Sequence, residues 1–287
     1  MSEPQQQFVA GDARRLPGGL AVSGYRASGL PEGVHLGVPS ATLTVVLSLD
    51  GPVVVADTAS DLRAGRAASL DVVVAGLQST ATHVAQPSHQ EGVQLAIDPL
   101  AARALFGVPA AELAASATEL FEPGPWAHEL WHALGETASW QHRFDLVAGA
   151  LATRAEAATA APDPAAAAAW RLLRRSGGAV PMDTVAHEVG LCGRALRTRF
   201  RREFGIGPKQ AARLMRFDRA LTTLTTATRA GRPVSLARVA ADCGYADHAH
   251  LTREFRGYLE QSPTSWLAHE SRNIQAGGHT RGPEWSA

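Results

Sequence analysis

Two stretches of the sequence repeat each other: VAHEVGLCGRALRTRFRREFGIGP at residues 185–208 and VAADCGYADHAHLTREFRGYLEQSP at residues 239–263. The offset between the copies is 54 before a central glycine and 55 after it, so one residue is inserted at that point. The paired positions are Val185 and Val239, Ala186 and Ala240, Gly190 and Gly244, Leu196 and Leu251, Phe200 and Phe255, and Pro208 and Pro263. An internal repeat of this kind indicates a duplicated supersecondary unit.

Each copy has the pattern of a helix-turn-helix. A small residue (Ala186 or Ala240) lies in the first helix, where it allows two helices to cross closely. A glycine follows at the turn, where a left-handed backbone is needed. Leu and Phe then stand four residues apart on one face of the second helix, which predicts that this face is buried.

The same period of 3.6 residues predicts which side chains of each second helix face outward. In the first copy they are Arg194, Arg197, Thr198 and Arg201; in the second they are Ala249, Thr252, Arg253 and Arg256, with His248 and His250 near the start of the helix. Arg, Thr and small residues are the side chains that reach base edges and thymine methyl groups. We therefore predict that both stripes bind DNA bases; the alternative is a helix face that is merely solvated.

A long helix is predicted between the copies, from about Pro208 to Thr226, and Gly231 and Pro233 end it. At 1.5 Å per residue it would span roughly 28 Å. Successive major-groove faces of B-DNA lie approximately 34 Å apart. One chain could thus place both second helices on one duplex. Because the predicted helix is slightly shorter than the distance between the groove faces, we predict that the DNA bends.

The formal net charge of zero hides two regions of opposite sign. Residues 170–272 contain 18 Lys and Arg against 9 Asp and Glu, a net of +9, which leaves −9 for the rest of the chain. Among the 27 basic residues only Lys209 is lysine. Arginine is the better bidentate partner for phosphate and guanine, so the charge favours a nucleic-acid partner for the basic region.

Residues 170–270 resemble the DNA-binding domain of AraC/XylS-family transcription regulators. That family has a Gly-x-Ser/Thr-Pro segment after its first reading helix and Leu-Arg-x-x-x-Ala in its linking helix. Here the two segments are Gly205-Ile206-Gly207-Pro208 and Leu214-Met215-Arg216-Phe217-Asp218-Arg219-Ala220. The resemblance implies base contacts from Arg194, Arg197, Thr198, His248, Ala249, Thr252 and Arg253.

The sequence departs from the family pattern at two places in the first copy. Cys192-Gly193 stands where the family has a serine that opens the first reading helix, which predicts a weaker helix cap. Gly207 stands where the family has Ser or Thr before the proline. The second copy keeps that serine as Ser262.

The N-terminal region has a different pattern. Short β-branched runs between residues 20 and 97 predict a sheet domain, a sandwich or a barrel. Residues 100–153 then follow helical periodicity. The predicted fold class is α+β with two domains, and the predicted divisions are a β-rich sensory or dimerisation domain with a helical extension at 1–155, a linker at 156–169, the DNA-binding domain at 170–272 and a flexible tail at 273–287.

This region more loosely resembles the cupin-like sensory domains of the same family, through His35-Leu36-Gly37-Val38-Pro39-Ser40 and GVQLAIDPLAARALFGVPAAEL. Such domains bind a small molecule, pair two chains, or do both. His35, His83 and His89 are scattered and no His-x-His is present, so we expect no metal there.

One motif points to an enzyme. His128-Glu129-Leu130-Trp131-His132 fits the H-E-x-x-H pattern of zinc proteases, in which two histidines bind the metal and the glutamate acts as base. The extended motif fails because Ala138 replaces its last histidine. A metal-activated cysteine, as in DNA-alkylation repair proteins, would need more thiols than Cys192 and Cys243 supply.

The sequence thus predicts a regulator and no enzyme. No apolar run reaches the roughly 20 residues of a membrane-spanning helix, and no export signal opens the chain, so a cytoplasmic location is expected. The expected partner is promoter or operator DNA, with a small-molecule effector, a second copy of the chain and RNA polymerase as further candidates and no cofactor. The alternatives left open are a constitutive DNA-binding protein whose N-terminal domain only dimerises and, remotely, the zinc protease.

Overall fold

The computed structural model describes residues 5–10, 21–113 and 123–268 of the 287-residue chain. Its N-terminal region is rich in sheet and its C-terminal region is helical. The predicted two-domain α+β architecture is therefore confirmed. The predicted tail, 273–287, lies outside the described residues.

The described strands form two antiparallel sheets. The first has the order β1-β2-β9-β4-β7 and the second the order β3-β8-β5-β6. The strands are β1 (Gln5–Ala10), β2 (Ala21–Ser28), β3 (Gly33–Gly37), β4 (Leu43–Ser48), β5 (Val53–Ala56), β6 (Ala68–Leu70), β7 (Val72–Ala75), β8 (Thr82–Gln86) and β9 (His89–Ile97).

One face of the larger sheet forms the core of the N-terminal region. In β4 the alternate residues Leu43, Val45 and Leu47 are buried, as the period of two requires. Val45 lies opposite Leu95 of β9, and Val22, Val72, Val74, Val93 and Ile97 extend the same apolar face. The helices that follow in the chain cover this apolar face of the sheet.

The described part of the N-terminal region contains the α-helices α1 (Ala59–Arg63), α2 (Ala102–Phe106), α3 (Pro125–Gly135) and α4 (Trp140–Glu156). Leu130 and Leu134 of α3 and Phe144 and Val147 of α4 pack into the core of the larger sheet. Trp140, at the start of α4, lies against Gly24 of β2, where an added Cβ would come within 2.4 Å of the indole ring. Glycine at position 24 is therefore what allows the helix to approach the sheet.

A charged cluster joins α4 to the larger sheet. Glu91 of β9 accepts hydrogen bonds from Arg26 of β2, at 2.7 and 2.8 Å, and from the buried Arg143 of α4. Both guanidinium groups lie over the ring of Trp140, at 5.6 and 4.6 Å from its centroid. The Arg26 guanidinium, and then that of Arg143, hold the pKa of Glu91 below its usual range despite partial burial.

The C-terminal region is helical. Its elements are α5 (Pro164–Arg175), α6 (Met182–Glu188), α7 (Gly193–Phe204), α8 (Pro208–Arg229), α9 (Leu236–Asp242) and α10 (His248–Leu259), followed by helical residues 263–268. The predicted linker contains a non-helical stretch at 157–163 and then the first turn and a half of α5. That helix begins at Pro164 because Asp163 caps it, accepting the amide N–H of Ala166 at 2.9 Å.

Two further predictions concern membranes and metal. None of the described helices combines the length and the apolar character needed to cross a bilayer. The H-E-x-x-H motif lies on α3, where His128, Glu129 and His132 are exposed. Over residues 5–10, 21–113 and 123–268, no three His, Cys, Asp or Glu side chains come together in a way that could hold a metal ion.

Candidate nucleic-acid interface

The sequence repeat is also a repeat in three dimensions. In the first unit, α6 and α7, the amide N–H of Leu191 donates to the carbonyl of Ala186 at 2.9 Å. In the second unit, α9 and α10, the amide N–H of Tyr245 donates to the carbonyl of Ala240, also at 2.9 Å. The two turn glycines have φ values of 67° and 77°, in the left-handed region that favours glycine. The two predicted helix-turn-helix units are thus confirmed as structures.

Both units are anchored by aromatic clusters. Leu196 and Phe200 of α7 are buried, and the ring centroid of Phe200 lies 6.0 Å from that of Trp170 in α5. Leu251 and Phe255 of α10 are buried in the same way, against Phe217 of α8 at 5.0 Å and Trp266 at 6.4 Å. Because these faces point inward, the orientation of each second helix is fixed by its own core.

The predicted outward stripes are at the surface. The exposed members are Arg194, Arg197, Thr198 and Arg201 on α7 and His248, Ala249, Arg253 and Arg256 on α10; Thr252 is half-buried. On each helix one threonine hydroxyl donates to a carbonyl four residues earlier, Thr198 to Arg194 at 3.1 Å and Thr252 to His248 at 2.9 Å. Their methyl groups are then held in one orientation.

His250 stands apart from the other predicted site residues. Its ring meets Tyr245 edge-on, with centroids 5.2 Å apart. Its Nδ1 accepts the amide N–H of Ala246 at 3.5 Å, and its Nε2 lies 4.0 Å from the Glu254 carboxylate. These contacts turn the imidazole back toward its own unit.

The two second helices begin differently. The Asp247 side chain caps α10, accepting the amide N–H of His250 at 2.6 Å, and this bond lowers the pKa of Asp247. Cys192 occupies the capping position of α7 and makes no such hydrogen bond. The weaker cap predicted for the first reading helix is therefore present in the structure.

Helix α8 joins the two units. It runs from Pro208 to Arg229, so the predicted helix and its termination before Gly231 are confirmed, and it extends three residues beyond the approximate predicted end at Thr226. The helix continues to Arg229 because no breaker precedes Gly231, and the amide N–H of Ala230 still donates to the Thr226 carbonyl at 3.1 Å. At 1.5 Å per residue the helix is about 33 Å long. The length of α8 is therefore close to the approximately 34 Å between successive major-groove faces of B-DNA. The difference between these two lengths, from which the DNA bend was predicted, almost disappears.

The N-terminal region contacts both units. Glu203, on the inward face of α7, is 3% exposed and accepts two hydrogen bonds from Arg103 of α2, at 2.8 and 3.1 Å, and one from the amide of Asp163 at 3.2 Å. Asp98 forms an ion pair with Arg174 of α5. These ion pairs connect the N-terminal region to α7 of the first unit and to α5, which packs against α7.

The second unit has a contact of its own with that domain. The amide N–H of Ala81, just before β8, donates to the carbonyl of Tyr258 near the end of α10 at 2.9 Å. Sequence reasoning missed both connections. Glu203 lies three residues after the buried Phe200, so the helical period alone could have placed it inward; the partner 100 residues away carried no such signal.

Comparison with protein families identifies the class of the C-terminal region. Residues 185–269 match the family described as "Helix-turn-helix domain". This segment is therefore a helix-turn-helix domain, as the sequence repeat predicted. No match was found among curated proteins.

Solved structures extend the likeness to most of the chain. ToxT from Vibrio cholerae, in a 1.65 Å structure, aligns with a TM-score of 0.52 and 11% identity over 87% of this chain and 98% of ToxT. ToxT bound to (E)-4-(8-methylnaphthalen-1-yl)but-3-enoic acid aligns with a TM-score of 0.52 and 10% identity, covering 87% and 98% of the two chains. ToxT bound to an unsaturated fatty acid aligns with a TM-score of 0.50 and 10% identity, covering 86% and 94%. At this identity the likeness shows the fold alone.

Proposed function

We propose that this chain is a transcription regulator that binds duplex DNA sequence-specifically, with α7 and α10 in two successive major grooves. One observation carries the proposal: two helix-turn-helix units of equivalent geometry, each with an exposed stripe of Arg and Thr on its second helix. In DNA-binding helix-turn-helix units the second helix enters the major groove. The stripes contain the residues suited to reading bases there.

The two stripes imply that the two half-sites differ. At an offset of 55, Arg194 corresponds to Ala249, Arg197 to Thr252 and Thr198 to Arg253. Arginine favours guanine, whereas alanine and the threonine methyl favour the methyl group of thymine. We therefore expect an asymmetric site with two unlike halves about one helical turn apart, bound by a single chain.

Selection of bound genomic fragments by the purified chain, followed by fluorescence anisotropy, tests this function. The proposal expects recovery of a common site and affinity for it that exceeds affinity for a scrambled duplex by a factor within the range of about 10³–10⁷ known for specific binding. Equal affinity for both duplexes would refute sequence-specific regulation.

We further propose that the N-terminal domain makes the regulator responsive to a small molecule. The contacts of Arg103 and Ala81 tie that domain to both reading helices, so a change in its shape would reach them. The structurally similar ToxT binds carboxylic acids with large apolar bodies, which makes this class of compound the first to test. The competing proposal is a constitutive DNA-binding protein whose N-terminal domain only pairs two chains.

Thermal unfolding of the full chain separates these two proposals. A ligand that binds the native state raises the melting temperature by mass action. We expect oleic acid to raise it and the corresponding alcohol, which lacks the carboxylate, to have little effect. If neither compound nor any of a wider panel of small molecules shifts the transition while the chain dimerises, the constitutive proposal replaces this one.

The remaining assignments are proposals of the same kind. We propose the domain divisions 1–155, 156–169, 170–272 and 273–287, a cytoplasmic site of action, and no catalytic activity. The DNA-contacting residues proposed are Arg194, Arg197, Thr198, Arg201, His248, Ala249, His250, Thr252, Arg253 and Arg256. A second copy of the chain and RNA polymerase are further partners to test by sedimentation and by transcription in vitro.

A further inference from the structure

A cleft of about 850 Å³ lies between the two helix-turn-helix units. One wall is the first reading helix, with Arg197 and Arg201; the base is the start of α8, with Lys209; and the opposite wall is the end of α10, with Gly257 and Tyr258. The cleft thus lies beside the predicted base-reading stripe of α7 and continues away from it toward the second unit.

The charge of the cleft is positive. The guanidinium groups of Arg197 and Arg201 and the ammonium of Lys209 make no hydrogen bond or ion pair with any other described residue. Arg213 also lines the cleft, but the Glu254 carboxylate neutralises it at 2.8–3.3 Å. Asp183 is the acidic residue among those that line the cleft. Three cations against one carboxylate leave a concave surface that attracts anions.

We propose that this cleft holds the sugar–phosphate backbone of the DNA strand that runs between the two grooves read by α7 and α10. The proposal rests on the proposed function, and it assigns Arg201 and Lys209 to phosphate contact. Reading helices contact bases chiefly through their N-terminal residues. Arg201 lies two turns into α7, at the far end of its stripe, and its Nε lies 3.6 Å from the position that a Cβ on Gly207 would occupy. The guanidinium is therefore held against the start of α8, beside Lys209.

The rim of the cleft includes one residue of the N-terminal region. Ser79 is exposed and lines the cleft, and two residues later the Ala81 amide is bonded to the Tyr258 carbonyl at 2.9 Å. DNA in the cleft would therefore lie next to the N-terminal domain. A charge placed at Ser79 would act on the phosphate without altering either reading helix.

Salt-dependent binding of the full chain to two duplexes, the selected site and its scrambled version, tests the proposal. Each phosphate contact that is lost reduces the slope of log K against log salt by about one. Arg201→Ala and Lys209→Ala should each reduce this slope by about one over the range of about 50 to 200 mM salt. Each variant should also weaken binding to both duplexes by the same factor. Arg202→Ala is the control, since Arg202 is exposed on the same helix but does not line the cleft; it should leave the slope unchanged.

A second pair of variants tests the position of the DNA backbone independently of Arg201 and Lys209. Ser79→Glu should weaken binding to both duplexes several-fold at low salt. Ser79→Gln introduces a side chain of the same size as glutamate but without its charge, and it should not weaken binding. A wild-type slope in Arg201→Ala and Lys209→Ala, or loss of binding to the selected site alone, would overturn the cleft assignment. A wild-type chain that binds both duplexes equally would instead overturn the proposed function.

Discussion

Arg197 and Arg253 occupy positions at which the two reading stripes differ, since the first aligns with Thr252 and the second with Thr198. Each is exposed near the middle of its stripe. We predict that Arg197→Ala and Arg253→Ala each weaken binding to the selected site relative to scrambled DNA by about 1–3 kcal/mol. Each should also relax base preference in one half of the site only.

Anisotropy titrations with single-base variants of the site would measure this effect. Arg202→Ala again serves as the matched control, because it removes an exposed arginine outside the stripe. Equal weakening on every duplex would assign Arg197 and Arg253 to phosphate contact and contradict their role as base readers.

At the scale of single elements, the approach of α4 to the larger sheet depends on Gly24. A methyl group there would come within 2.4 Å of the Trp140 ring, which must then shift together with the two guanidinium groups stacked on it. We predict that Gly24→Ala destabilises the native state by about 1–3 kcal/mol, the usual effect of overpacking. Urea unfolding measures it.

Gly33→Ala in β3 is the matched control, because an added Cβ there meets no atom within 4 Å and the glycine has no positive φ. A Gly24→Ala protein as stable as the Gly33→Ala protein would show that the contact between Trp140 and the sheet is not rigid.

The Glu91 cluster gives a pH dependence with a definite sign. The folded-state pKa of Glu91 is lowered, first by the hydrogen bond from Arg26 and then by that from Arg143. Its contribution to stability is therefore fully present above the unfolded-state pKa of about 4.3 and is lost as the pH falls through the lower, folded-state value. We predict that Glu91→Gln flattens this part of the acid limb in urea titrations across pH. An acid limb identical to that of the wild type would contradict the lowered pKa.

Much of the element scale could be predicted from the sequence because it depends on local periodicity. The turn glycines and the inward Leu196 and Phe200 follow from the helical period within each unit, and the two units follow from the repeat at an offset of 54 and 55 residues. The exact end of α8 did not follow, since no residue before Gly231 marks one helical position as the last. The contact of His250 with Tyr245 was not predicted, since only the folded turn brings the two rings together.

In the whole molecule, the contact between Arg103 and Glu203 is the feature that the sequence predicts least well. Its partners are separated by 100 residues, and although the helical period places Glu203 on the inward face of α7, nothing in the sequence identifies Arg103 as the residue that it contacts. The prediction treated the two domains as separate and joined by a linker. The structure joins them through ion pairs as well, so the position of the first reading helix depends on the N-terminal domain.

That dependence makes Glu203→Gln a direct test of the coupling. The change keeps the shape of the side chain but leaves the Arg103 guanidinium without a carboxylate, and we predict a loss of about 1–3 kcal/mol in the free energy of unfolding. Glu188→Gln, at an exposed position on α6, should have little effect. If calorimetry showed both variants to be as stable as the wild type, the ion pair would not fasten the domains.

In the proposed complex, one chain places two equivalent helices in successive major grooves of one duplex. Dimethyl sulfate footprinting of the selected site tests this arrangement, at a protein concentration where sedimentation shows one chain per duplex. We predict protection of guanine N7 atoms in two patches about 10 base pairs apart on one face of the DNA. Protection confined to a single groove, or two patches on opposite faces, would contradict it.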